Sequence, residues 1–139
     1  MRYFLLQLAL ILASSAAHAL SVAVAVIELS QDEITRSGIV VDLIQRTEVE
    51  PRERESLSFT ADFSAFSECG VGEVIISSSD AQGNVVFSAL VGESQGLHYF
   101  QIRDDFLENT QLSVDCRPTG PGYIPKRYTF SLEEAFEAI

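Results

Sequence analysis

The stretch Leu57–Ala65, LSFTADFSA, alternates without a break: Leu57, Phe59, Ala61, Phe63 and Ala65 fall on one side, Ser58, Thr60, Asp62 and Ser64 on the other. A period of two is the pattern of a strand with one buried and one wet face. This stretch predicts a β fold, and the segments around it extend that reading. Downstream, Glu73–Ser78 and Val85–Val91 flank SDAQGN. Asp80 at the turn start and Gly83 at a left-handed position predict a type I turn with a bulge, hence a hairpin. Gly96–Ile102 and Thr110–Cys116 are further expected strands, the second placing Leu112, Val114 and Cys116 on one face. Past the Pro/Gly-rich loop Arg117–Pro125, the segment KRYTFSL alternates again through Tyr128, Phe130 and Leu132.

Upstream, Ser21–Leu29 and Ile39–Arg46 are β-branched and apolar, and each predicts a strand. Between them, Ser30 and Glu33 form an S-x-x-E capping box, Leu29 and Ile34 have staple spacing, and Gly38 supplies a stop. A short helix over residues 31–37 follows. Thr47–Glu55, with Pro51, is expected to be a charged connection. Near the C-terminus Ser131 and Glu134 repeat the S-x-x-E device, and Leu132, Ala135, Phe136 and Ile139 share one helical face. A helix over 132–139 is expected, and one this short must dock its apolar face on something.

Seven or eight short antiparallel strands with turn signals between them predict a mostly β chain built as a single immunoglobulin-like β-sandwich. No tryptophan is present, so an antibody-type core is excluded.

The first residues carry Arg2, the apolar run Phe4–Ala13 and the small-residue site Ala17-His18-Ala19, which reads as a signal peptide over 1–19. The expected mature domain is 20–139, enough for one core. The expected location is outside the cytoplasm, periplasmic or extracellular, with no stable membrane insertion after cleavage. The whole chain has a net charge of −11; the leader holds one cation, Arg2, and no acid, leaving eight cations against 20 acids, or −12. Such a chain repels nucleic acid and anionic lipid. Two cysteines, Cys69 and Cys116, predict a disulfide in an oxidising compartment.

The stretch Leu29, Ser30, Glu33, Ile34, Gly38 and Ile39 resembles the segment leading into the first sheet of periplasmic adaptor subunits of efflux pumps. The likeness covers Ile27–Ile44 alone. No long helical hairpin and no lipoyl-type motif follow, and no functional residue is carried over.

The motifs of catalysis are missing. His98 is the sole histidine after the leader and alternates with Phe100 and Ile102, which suits a core strand better than a general base. No G-x-S-x-G, nucleotide-binding loop or thiolate–imidazole metal spacing occurs. Asp104, Asp105 and Glu108 form a carboxylate cluster that raises a Ca²⁺-dependent sugar-binding module or small hydrolase as an alternative. The leading expectation is no enzyme and no cofactor. The chain is read as acting by protein–protein contact or self-association in a bacterial cell envelope. Val22, Val24, Val26, Leu132, Phe136 and Ile139 are the contact candidates. The other alternative is a fimbria-like subunit that donates its N-terminal strand.

Overall fold

A computed structural model describes residues 24–49 and 54–137. Two sheets dominate them. The first runs β1 (Ala25–Glu28), β9 (Lys126–Ser131), β8 (Thr110–Cys116), β4 (Val71–Ser79) and β5 (Val85–Leu90), in that spatial order. The second runs β2 (Val40–Val49), β3 (Arg54–Asp62), β7 (Leu97–Arg103) and β6 (Gly92–Ser94). Their inner faces share one core, with Leu57, Phe59 and Ala61 of β3 in the same cluster as Val74 and Ile76 of β4, Leu112 and Val114 of β8, and Phe130 of β9. The mostly β reading therefore holds, with nine strands among the described residues.

Local chemistry sets the first turn. Helix α1 (Gln31–Arg36) opens on Ser30, whose Oγ accepts the Glu33 N–H at 3.4 Å while Glu33 Oε2 accepts the Ser30 N–H at 2.8 Å. Leu29 and Ile34, on either side of that cap, are both buried. Gly38 has φ +83°, and a Cβ there would meet the Ala65 carbonyl oxygen, so the position requires glycine twice over.

Several expectations are corrected. The strand expected over Ser21–Leu29 is described only as β1, and residues 21–23 lie outside the described residues, as does the leader. β1 pairs with β9 in parallel, Ala25 opposite Lys126, so the sheets are not wholly antiparallel. The charged connection Thr47–Glu55 is largely strand: β2 runs to Val49 and β3 starts at Arg54, with Glu48 opposite Glu55. Charge there is compatible with pairing because the hairpin end needs no buried face. Ala65 is exposed rather than inward. The strand has already ended at Asp62, whose Oδ1 accepts the Ser64 N–H at 2.8 Å and turns the chain. β6, unseen in the sequence, joins β7 through Gln95 (φ 54°) and Gly96 (φ 81°), a two-residue turn with both central residues left-handed.

The Asp104–Asn109 segment is a 3₁₀ helix. It is tied to the core through Thr110, whose hydroxyl donates to the Phe106 carbonyl at 2.6 Å and lies 2.7 Å from the Ser78 hydroxyl. Helix α2 (Leu132–Glu137) follows β9 directly, and Ser131 Oγ accepts the Glu134 N–H at 3.4 Å. Residues 138 and 139 lie outside the described residues.

Candidate docking edge

Six consecutive residues, Val85-Val86-Phe87-Ser88-Ala89-Leu90, form β5. By composition this is a core strand: five apolar side chains and no charge. Its position is that of an edge, because among the described residues β4 is its one neighbour in the sheet. Val85, Val86, Phe87 and Leu90 are all exposed, Leu90 at 65% and Phe87 at 49%. Exposed apolar edges of this length usually carry a lysine, a proline or a covering loop as protection; β5 has neither residue.

The turn that aims the strand is locally encoded. Asp80 Oδ1 accepts the N–H groups of Gln82 at 3.0 Å and Asn84 at 2.9 Å, and the Asp80 carbonyl accepts the Gly83 N–H at 3.0 Å. Gly83 sits at φ +83°. The backbone N–H of Asn84, ahead of the remaining contacts, holds the Asp80 carboxyl below the usual carboxylate range. A register shift between Ser78 and Ser79 marks the expected bulge.

Register decides which backbone groups face out. Ile75 pairs with Leu90, Ile76 with Ala89, Ser77 with Ser88 and Ser78 with Phe87. The Val91 N–H donates to the Val74 carbonyl at 2.8 Å. Hydrogen-bonded pairs alternate in an antiparallel ladder. The N–H and C=O of Ser88 and Leu90 therefore point away from β4, toward the open edge. On the inner face, Phe87 stays exposed opposite the buried Ser78, while Val85, opposite Ser79 beyond the register shift, falls on the outer face.

The other candidates fall elsewhere. Val24 and Val26 are exposed at the opposite edge of the same sheet, beside and within β1, whose Ala25–Glu28 backbone is already paired with β9. Val22 lies outside the described residues, as does Ile139. Leu132 is fully buried, and Phe136 packs edge-on against Phe59 with centroids 5.9 Å apart; α2 thus places its apolar face on its own core. Cys69 and Cys116 form a disulfide that links the segment before β4 to the end of β8. His98 is 8% exposed, its ring edge-on to Phe63 at 5.4 Å, and its Nδ1 has no hydrogen-bond partner.

Of the carboxylate cluster, Asp105 takes a two-pronged contact from Arg103, at 2.7 and 3.0 Å, while Arg103 also lies over the Phe106 ring. Among the described residues no group of three or more metal-ligating side chains comes together, and no helix is long and apolar enough to cross a membrane. A groove of about 520 Å³ runs between β1, α1 and Glu68, floored by Leu29 and Tyr128. The Tyr128 hydroxyl is pushed up first by burial and then by the Glu68 charge.

The sequence signal for β5 was its uncharged apolar run, but a run of that kind says core until the neighbours of the strand are known. No family model matches the chain, and neither a curated protein nor a solved structure is detectably similar to it.

Proposed function

We propose that this chain is a non-enzymatic exported protein that acts by protein–protein contact in a bacterial cell envelope, lending the β5 edge of its five-stranded sheet to a partner. The observation that carries this reading is the exposed, uncharged, unprotected edge from Val85 to Leu90. An extended segment laid along such an edge completes its hydrogen-bond ladder and covers its apolar side chains. The disulfide and the expected leader support an oxidising location. The finer fold reading is an immunoglobulin-like sandwich. It is supported by the orders β2–β3–β7–β6 and β9–β8–β4–β5, which follow the A–B–E–D and G–F–C–C′ arrangement. β1, added in parallel beside β9, and the bridge from a loop cysteine are its departures.

Donation of the N-terminal strand is less well supported, since Ala25–Glu28 is already paired within its own chain. Photocrosslinking in the native envelope tests the reading. A photoreactive residue replacing Leu90 is expected to give a discrete protein adduct, while one replacing Ile44, an exposed residue of the other sheet, is not. Equal labelling from both positions, or none from either, would sink it.

A further inference from the structure

The chain on either side of β5 carries charge of one sign only. From Glu55 to Leu97 the chain carries no lysine, arginine or histidine. Glu73 precedes Val74, whose carbonyl holds the Val91 N–H, so it stands at the Leu90 end of the edge; Glu93, in β6, follows on the same side. Asp80 stands at the Val85 end, in the turn. Glu108, from the 3₁₀ helix, lines with Asp80 a shallow concavity of about 320 Å³ beside that turn. Carboxylates thus bracket an uncharged strand of six residues, a span of about 20 Å.

We propose, building on the edge-docking reading above, that the occupant of β5 is an extended segment of a second protein, apolar at alternate positions, with lysine or arginine at both ends. The ladder groups of Ser88 and Leu90 supply the backbone pairing. The alternate apolar residues cover Phe87 on the inner face. The terminal cations meet Glu73 and Glu93 at one end and Asp80 and Glu108 at the other. A second copy of this chain fits worse. Antiparallel pairing of two β5 strands sets Asp80 of each copy near Glu73 and Glu93 of the other, and each copy carries a net charge of −11. Like charges so placed oppose association.

The test uses the full mature chain and two synthetic peptides of about ten residues, long enough to span the edge. Both alternate valine and threonine at the centre; one ends in paired lysines, the other in paired glutamates. Binding is read by fluorescence anisotropy at low and high salt. The lysine-ended peptide is expected to bind at least about tenfold more tightly than the glutamate-ended one, with the difference shrinking in high salt. Ser88→Pro removes one outward N–H, leaves every charge in place and keeps the β4 pairing. It is expected to weaken the lysine-ended peptide several-fold without changing the melting temperature. Glu73→Gln combined with Glu93→Gln leaves the backbone edge intact and is expected to narrow the lysine preference, which keeps the test valid if Ser88→Pro does not fold.

Equal binding of both peptides, weakened alike by Ser88→Pro, overturns the basic-ended partner and leaves edge docking standing. Concentration-dependent self-association that Ser88→Pro abolishes does the same, with a second copy as occupant. Lysine-ended binding untouched by Ser88→Pro, or no binding of either peptide, overturns both.

Discussion

At the scale of single residues, two glycines with the same φ of +83° separate conformation from packing. At Gly83 nothing lies within 4 Å of an added Cβ, so Gly83→Ala carries the left-handed penalty alone, about 1 kcal/mol. At Gly38 the added atom also meets the Ala65 backbone, and Gly38→Ala is expected to cost more than about 2 kcal/mol. Urea denaturation of the two variants measures both, and equal losses would contradict the packing account. Three carboxyls share a second property. The backbone N–H of Ser30 lowers Glu33, that of Ser64 lowers Asp62, and that of Asn84 lowers Asp80. A carboxyl whose folded value is depressed stabilises the fold above its unfolded value, and the contribution is lost as pH falls through the folded one. The melting temperature is therefore expected to hold at neutral pH and to drop below about pH 4. A smaller drop in Asp80→Asn would assign part of it to the hairpin turn. These caps and turns were legible in the sequence because donor and acceptor lie within four residues of each other. Gln95, at φ 54°, carries no such signal: the usual Asn-Gly pair is missing there, so the sequence does not mark β6 or its turn.

At the scale of elements, α2 shows what docking adds. Six residues do not hold a helix in water, so the segment depends on burial of Leu132 and Ala135 and on the Phe136–Phe59 contact. Leu132→Ala is expected to cost about 2–5 kcal/mol, read as a shift in the urea midpoint. A loss under about 0.5 kcal/mol would mean that the helix rides on the surface. The one-sided pattern of α2 was visible in the sequence, but the face it covers was not. The β2–β3 hairpin shows the opposite limit. Its distal pairs, Thr47–Val49 against Arg54–Ser56, lie where charge and Pro51 suggest a linker. Periodicity carries little signal there, since none of Thr47, Glu55 and Ser56 is buried.

At the scale of the whole molecule, the Cys69–Cys116 bond closes a loop with a sequence separation of 47. On the chain-entropy account it stabilises the fold by about 4 kcal/mol. Cys69→Ser with Cys116→Ser is expected to lower the unfolding free energy by that order, and an unchanged urea midpoint would contradict it. The β5 edge carries a liability as well as a use. An uncovered apolar strand invites edge-to-edge association, which the net charge of −11 opposes at neutral pH. Val86→Lys introduces the protection the edge lacks. It is expected to slow aggregation near the isoelectric point while leaving the urea midpoint within about 0.5 kcal/mol; light scattering and denaturation check the two halves.

By itself the sequence determined what depends on near neighbours and on period. The Ser30–Glu33 cap, the Gly38 stop, the Asp80–Gly83 hairpin, the alternation of Leu57–Phe63 and the β class all follow from hydrogen bonds and side-chain phase within a few residues. Tertiary structure alone decided which strands became edges. Val85–Leu90 and Ile39–Val41 are both uncharged stretches rich in apolar residues, but Val41 lies in the core while Leu90 faces solvent. The difference is set by which distant segment lies alongside, since burial of a strand depends on pairings made far away in sequence. The candidate docking edge is therefore a property of topology, and only its acidic surroundings were written plainly in the chain.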